Sequence, residues 1–231
     1  MSSIVRSTDI GRELRSRQRG FLLSPFRFGS GGGGPTELAS DSWTQSSGST
    51  QGIATYGSYE VLEGSMTVLS GSAGVCIGSG AYNTSRRTGT TFGTEQYSQK
   101  VITANQVSLN NYCGPAVRCQ SGANTSYHVE TNGSNFYVSK CLAGTQSSLA
   151  GPVTQTFAAG DVIRLEVTGT GGTVTLKVFR ALAASPTSFS QVGTDYTDSS
   201  SPITTAGTAG VFGYGNSGTS PVIGAWSAGD L

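Results

Sequence analysis

Ser126, His128 and Glu130 alternate along one predicted strand, and their side chains can donate, accept or move protons. Residues two apart on a strand point to the same side of a sheet, so these three share one face. Aromatic planes next to such hydrogen-bonding groups are what a sugar-binding surface needs. We therefore predict a candidate sugar-binding face, with an ordinary solvated sheet face as the alternative. Its members are Tyr82, Arg118, Ser126, His128, Glu130 and Tyr137.

The carboxylates are poorly spaced for hydrolysis of a glycosidic bond. That reaction needs two carboxyl groups facing one cleft, about 5–9 Å apart. The nearest pair, Glu60 and Glu63, differs by an odd number and would point to opposite faces of a strand. We predict that the protein is not an enzyme and has no catalytic residue.

Two glycine-rich segments match the residue pattern of functional motifs but lack the secondary structure that those motifs require. Residues 74–78 (GVCIG) resemble a nucleophile elbow and residues 213–218 (GYGNSG) match a dinucleotide pattern. Both motifs require a helix immediately afterwards, and neither is followed by a helical pattern. We expect no cofactor.

Four cysteines and a single histidine do not make a metal site. Cys76, Cys113, Cys119 and Cys141 form no Cys-x-x-Cys pair, so we expect no bound metal. Synthesis in a reducing cytoplasm favours buried free thiols. A disulfide formed after release from the cell is the alternative.

Composition points to strands. Gly, Ser and Thr together supply 96 of the 231 residues, and charged residues are only 12%. Gly and Thr weaken helices, whereas Thr favours strands. The 35% of hydrophobic residues can still bury a core. These numbers exclude a helical bundle and favour many short antiparallel strands.

Local patterns place several of these strands. We predict hairpins at residues 59–68 and 162–180, and a three-stranded meander over 116–141 whose second turn is Asn132-Gly133. In the 162–180 hairpin, Ile163, Leu165 and Val167 face inward opposite Val174, Leu176 and Val178. Arg164, Glu166 and Lys177 are expected to point to solvent.

Residues 1–34 form a separate basic segment, ahead of a domain at 35–231. They carry six arginines against two acids and end in a glycine run, Gly31 to Gly34. No apolar run has the length of a membrane span or of a secretory signal. Arginine and phenylalanine together are typical of interface cores. We predict a docking arm for a protein partner rather than for nucleic acid or membrane, with a disordered tail as the alternative. Its contacts would be Arg12, Arg15, Arg17, Arg19, Phe21, Phe26 and Phe28.

The order of several segments resembles a known fold family. They are Trp43 and residues 57–64 (GSYEVLEG), 91–98 (TFGTEQYS), 116–124 (AVRCQSGAN), 159–167 (AGDVIRLEV), 213–215 (GYG) and 226–230 (WSAGD). This order is similar to concanavalin A-like jelly rolls of the laminarinase and LamG-like kind. The resemblance implies an all-β, two-sheet antiparallel jelly-roll sandwich, here with an extended N-terminal arm. Hydrolytic members carry a Glu-x-Asp-x-x-Glu strand that this sequence lacks.

Such domains serve as sugar-binding proteins, as glycosidases and as accessory modules of phage particles, so fold alone does not decide function. Our main hypothesis is a non-enzymatic virion protein, a capsid decoration or a tail or fibre component. The arm would bind other virion proteins, and we expect a homo-oligomer located in the virion. The alternative is an adhesion module that binds cell-surface glycans.

Overall fold

Strands dominate the computed structural model of this protein, which describes residues 34–43, 51–68, 75–77, 82–109, 111–215 and 222–231. The strands are β1 (Thr36–Asp41), β2 (Gln51–Gly52), β3 (Tyr59–Glu63), β4 (Met66–Val68), β5 (Val75–Ile77), β6 (Tyr82–Arg87), β7 (Gln96–Val101), β8 (Tyr112–Cys119), β9 (Ser126–Thr131), β10 (Asn135–Leu142), β11 (Thr145–Thr154), β12 (Val162–Thr168), β13 (Val174–Ala181), β14 (Ser190–Asp198), β15 (Thr208–Tyr214), β16 (Val222–Ile223) and β17 (Trp226–Asp230). Two short helices accompany them, α1 (Ile53–Tyr56) and α2 (Ala104–Leu109).

Two large antiparallel sheets form a sandwich. One has six strands in the order β1-β17-β7-β12-β13-β14, and the other has seven in the order β11-β10-β9-β8-β15-β6-β3. A third, four-stranded sheet has the order β16-β5-β4-β2. The predicted all-β, two-sheet jelly-roll sandwich is thus confirmed, with this small sheet added. Within the described residues, no helix has the length and hydrophobicity needed to cross a bilayer.

The main core fills the space between the two large sheets. Each strand contributes every second side chain, as expected for sheets with one face packed. The buried residues include Val117, Tyr127, Val129, Phe136 and Val138 from the seven-stranded sheet, and Ile163, Leu165, Val167, Val174, Leu176 and Val178 from the six-stranded sheet. Because Tyr127 and Val129 face this core, their neighbours Ser126, His128 and Glu130 lie on the outer face of the seven-stranded sheet.

A second apolar cluster lies beside the small sheet. Trp43, Tyr59 and Trp226 pack there with ring centroids 5.0–6.5 Å apart. The indole nitrogen of Trp43 donates to the carbonyl of Gly224 over 2.9 Å, and that of Trp226 donates to Ser98 Oγ over 2.8 Å. Both buried indoles therefore keep a hydrogen bond, which lets them serve as core residues.

Two of the predicted strand groups are confirmed. β12 pairs with β13 so that Leu165 is opposite Val178 and Val167 is opposite Leu176. The meander is β8-β9-β10, and Asn132-Gly133 makes its second turn, with Gly133 at φ 89°.

The predicted hairpin at residues 59–68 is wrong. β3 pairs with β6 in the seven-stranded sheet, whereas β4 pairs with β2 and β5 in the small sheet. Gly64 adopts φ 69° between them. A turn does occur at Gly64, but it connects a strand of one sheet to a strand of another sheet, so the two strands do not pair with each other.

Arg164 was also assigned wrongly to solvent. It lies on the outer face of the six-stranded sheet, yet it is only 5% exposed. Its guanidinium carbon lies 4.5 Å from the centre of the Tyr97 ring and 3.8 Å from that of Phe189, and Nε donates to Gln99 Oε1 over 2.8 Å. Phe189 comes from the loop before β14, a contact that the local hairpin pattern does not contain.

Three thiols are free and buried, those of Cys113, Cys119 and Cys141. This agrees with the expectation of reduced cysteines. Burial raises the pKa of the Cys119 thiol to about 12 and that of Cys141 to about 11, so both remain protonated and unreactive. The side chain of Cys76 lies outside what the structure describes.

Candidate functional site

An open groove of about 460 Å³ crosses the outer face of the seven-stranded sheet. That volume is within the range of small-molecule sites. Its lining comes from six adjacent strands, β11 to β6, which at the usual spacing between strands span about 24 Å. The lining residues are Tyr82, Tyr112, Glu130, Tyr137, Ser139, Gln146, Ser147, Ser148 and Tyr214.

Three of the four tyrosines are aligned by the strand register. Tyr214 is directly opposite Tyr82 on one side and Tyr112 on the other. The rings of Tyr82 and Tyr214 lie 5.0 Å apart, and Tyr112 meets Tyr137 edge-to-face at 5.8 Å. Tyr82 is 39% exposed, so its ring is accessible from solvent. The groove therefore offers aromatic surface on both sides of Glu130.

The opposite wall is polar. Ser139 on β10 is opposite Ser148 on β11, and Gln146 lies two residues before Ser148 on the same face. Both amide atoms of Gln146 are buried, and neither has a hydrogen-bond partner among the described residues. A buried amide without partners is costly. Because these atoms have almost no accessible surface, a molecule in the groove could bond to the Gln146 amide only if its side chain turned outward.

Glu130 brings a negative charge to the groove, and His128 lies against it. Their closest atoms, Glu130 Oε1 and His128 Nε2, are 3.3 Å apart. Burial raises the pKa of Glu130, but contacts with His128 and Ser139 outweigh it and hold this pKa below its ordinary value. Glu130 is consequently ionised at neutral pH, with 19% of its side chain exposed.

Small residues on β8 let His128 stack on an aromatic ring two strands away. The imidazole lies parallel to Phe212, with ring centroids 3.8 Å apart and an angle of 9°. On the strand between them, Gly114 is opposite Phe212 and Ala116 is opposite His128. A Cβ at position 114 would lie 1.9 Å from the carbonyl oxygen of Val129, so only glycine fits. The result is a rigid, buried support next to Glu130.

The hydroxyls of Tyr82 and Tyr112 keep their protons. Burial, together with the charge of Glu130, raises the pKa of Tyr82 above its ordinary value. Burial and the neighbouring Tyr137 raise that of Tyr112 as well. Protonated phenols can donate hydrogen bonds to a ligand as well as accept them.

The structure brings three of the six predicted face residues into the groove lining, Tyr82, Glu130 and Tyr137. His128 contacts this lining from a fully buried position. Ser126 shares the face of His128 but is buried outside the groove lining, and its hydroxyl has no hydrogen-bond partner among the described residues.

Arg118 does not belong to this face, contrary to the prediction. It is buried at φ 50°, where a shift of register between β8 and β15 breaks the strand alternation. Its guanidinium donates to the carbonyls of Thr94, Ile203 and Gly169 over 2.6–3.0 Å. Arg118 therefore connects loops at the end of the sandwich.

Sequence reasoning missed Tyr112, Ser139, Gln146, Ser147, Ser148 and Tyr214. Alternation was a usable signal for Ser139, which lies two residues after Tyr137 on the same face. The contributions of β15 and β11 depend on which strands become neighbours, and no local pattern shows that.

The predicted docking contacts of the arm, from Arg12 to Phe28, lie outside the described residues. Among the described residues, no group of three or more histidine, cysteine, aspartate or glutamate side chains is placed to hold a metal ion.

Comparison with known proteins gives only distant likenesses. No protein-family profile and no curated protein matches the sequence. Among solved structures, the chain is similar to the carbohydrate-binding module CBM66 from Bacillus subtilis, with 13% identity, TM-score 0.45 and coverage of 75% of this chain and 92% of the module. It is also similar to the GH43 protein BlXynB from Bacillus licheniformis, with 12% identity, TM-score 0.49 and coverage of 83% of this chain but 39% of that protein. The catalytic domain of a glycoside hydrolase family 131 protein from Coprinopsis cinerea aligns at 11% identity and TM-score 0.35, over 84% of each chain.

Proposed function

We propose that this protein binds carbohydrate chains in the groove on the seven-stranded sheet and does not hydrolyse them. The observation that carries the proposal is the lining itself, which combines four tyrosine rings with the Glu130 carboxylate and the hydroxyls of Ser139 and Ser148. Sugars present flat apolar faces and many hydroxyl groups, and this lining complements both.

The length of the groove favours a chain over a single sugar. Aromatic rings occur on β6, β15, β8 and β10, and hydrogen-bonding groups continue onto β11. One sugar ring would contact only part of a lining about 24 Å long. Several weak contacts along a chain add up to useful affinity.

The absence of hydrolysis is part of the proposal and is supported by the carboxylates. Glu130 is the single carboxylate among the lining residues described. Glu60 accepts hydrogen bonds from Arg86, Ser121 and the backbone of Gly122, and Glu63 accepts one from Asn124. A pair of carboxyl groups across the groove, as hydrolysis requires, is therefore lacking within the described residues.

These features favour the glycan-binding hypothesis over the virion hypothesis. The proposed particle anchor is residues 1–34, of which the structure describes only the last. Anchoring to a particle, homo-oligomerisation and location in a virion therefore stay predictions. A virion protein that uses this groove to hold glycans would satisfy both hypotheses.

The test is affinity electrophoresis of the full chain in gels containing neutral polysaccharides: xylan, hydroxyethylcellulose, β-1,3-glucan, mannan and levan. We expect retardation by at least one of them. Tyr82→Ala should weaken that binding about fivefold, because a lost ring contact costs ~1 kcal/mol.

Leu182→Ala is the matched control, since Leu182 is an exposed apolar residue outside the groove. It should bind like the parent. Retardation by none of the polysaccharides, or equal binding by Tyr82→Ala and the parent, would refute the proposed function. Release of reducing ends by the parent that is lost in Glu130→Gln would refute the non-catalytic part.

A further inference from the structure

We infer that the groove selects uncharged glycans and rejects anionic ones, with Glu130 as the specificity-determining residue. This inference rests on the proposed function and adds the chemical class of the ligand. The evidence for it is which charged residues the seven-stranded sheet contains and which groups their side chains contact.

Glu130 is the single charged side chain among the described lining residues. Its carboxylate can accept hydrogen bonds from sugar hydroxyls. Glu63 adds to the negative potential at the groove. Its carboxylate, like that of Glu130, lies close enough to Tyr82 to raise the pKa of the Tyr82 hydroxyl. A uronate, sulfate or phosphate group on the ligand would meet like charge in a partly desolvated site.

Each arginine and lysine on the strands of this sheet contacts groups outside the groove. Arg86 pairs with Glu60 at 2.5 Å, and Lys140 pairs with Asp198 at 2.8 Å. Arg87 lies over the ring of Tyr59, near Asp41. The guanidinium of Arg118 donates to three carbonyl oxygens on the side of β8 that faces away from the groove.

Proteins that recognise anionic groups use forked arginine or lysine donors at the site. The groove has no such donor among its described lining residues. His128 is the nearest basic side chain, but it is fully buried and lies against Glu130. Apart from the imidazole that lies against Glu130, the described lining therefore offers an anionic sugar no cationic group to offset the repulsion by Glu130.

The experiment compares each neutral polysaccharide that binds with its carboxymethylated form, at low ionic strength, on the full chain. Polygalacturonate and alginate serve as natural anionic polymers. We expect the carboxymethylated form to bind the parent at least tenfold more weakly than the neutral form. Glu130→Gln keeps the shape of the side chain and removes its charge, and should reduce this ratio at least fivefold.

Glu166→Gln is the control, because Glu166 carries a comparable partly buried carboxylate on the other sheet, beside Arg164. It should leave the ratio unchanged. Salt gives a second measurement that needs no variant: added NaCl should strengthen binding of the carboxymethylated form relative to the neutral form.

The outcomes separate the inference from the proposed function. Binding of no polysaccharide of any charge refutes the proposed function. Binding of a neutral polysaccharide together with equally tight binding of an anionic one overturns the selectivity. A ratio that is the same in the parent and in Glu130→Gln overturns the role of Glu130.

Discussion

Lys100 is a lysine whose side chain is buried inside the sandwich. It lies on β7, fully buried, and its Nζ donates to Gln106 Oε1 over 2.5 Å and to the carbonyl of Val101 over 3.3 Å. No ion pair joins it to an acid in the part of the chain that the structure describes. Burial lowers the pKa of Lys100, and the nearby Cys113 opposes this only in part.

This burial predicts a pH-dependent stability. A lysine in the unfolded chain has a pKa of about 10.4, so between the folded and unfolded pKa values the unfolded state binds more protons. The free energy of unfolding should therefore rise with pH by up to about 1.4 kcal/mol per pH unit, within that window. Lys100→Met should remove this rise, which lies below the unfolded lysine pKa of about 10.4. Urea unfolding at several pH values measures it.

Lys177→Met is the control for the pH experiment. Lys177 is partly exposed and pairs with Asp195 at the surface. Its variant should follow the pH dependence of the parent. If the curves of the parent and of Lys100→Met run parallel over this range, Lys100 is not titrating as its burial requires.

At the scale of elements, β12 buries both of its faces. Leu165 packs in the main core, and Arg164 lies between the rings of Tyr97 and Phe189 on the other side. Leu165→Ala should cost about 2–5 kcal/mol of unfolding free energy. Arg164→Ala should cost about 2 kcal/mol, because a desolvated cation–π contact and the bond to Gln99 are lost together.

Thr175→Ala on the neighbouring β13 is the control, since Thr175 is only half-buried. It should cost less than about 0.5 kcal/mol. Chemical denaturation of the three variants gives the comparison. An Arg164→Ala cost as small as that of Thr175→Ala would mean that the outer face of β12 is solvated after all.

Local patterns predicted strands well where the partners are adjacent in sequence. The β12–β13 hairpin and the β8-β9-β10 meander are closed by short turns, so alternation fixes both strands and faces. The pairing of β3 with β6 depends on a partner more than twenty residues away, and the same period-2 signal fits either pairing. Arg118 was misplaced because a bulge overrides the alternation. Arg164 lies on the face that alternation assigns, but the loop that carries Phe189 covers it, and neither effect leaves a local signal.

At the scale of the molecule, the arm and the sandwich are predicted to be separable. The six-stranded sheet has its first described strand at Thr36, two residues after the glycine run, and all thirteen strands described for the two large sheets lie after residue 34. The fragment 35–231 should therefore fold, with a melting temperature within a few degrees of the full chain and unchanged glycan binding. Circular dichroism and affinity electrophoresis of the fragment test this. An unfolded fragment would show that residues 1–34 are part of the fold.

The candidate site was predictable only in part. The sequence placed Glu130 and Tyr137 on one face, because both belong to strands of the meander. The groove itself is produced by six strands drawn from three separate stretches of the chain, between Tyr82 and Tyr214. Three aligned tyrosines are a property of sheet order and register, so they emerge only in the folded molecule.

The most direct test of the central claim is to ask which tyrosines a glycan touches. The chain has nine tyrosines, of which Tyr82, Tyr112, Tyr137 and Tyr214 line the groove. With ¹³C-labelled tyrosine, titration with the neutral polysaccharide that binds best, as a short oligosaccharide, should shift the ring signals of these four. The other five, including the buried Tyr97 and Tyr127, should stay in place. Shifts confined to those five, or no shifts at saturating oligosaccharide, would contradict carbohydrate binding in this groove.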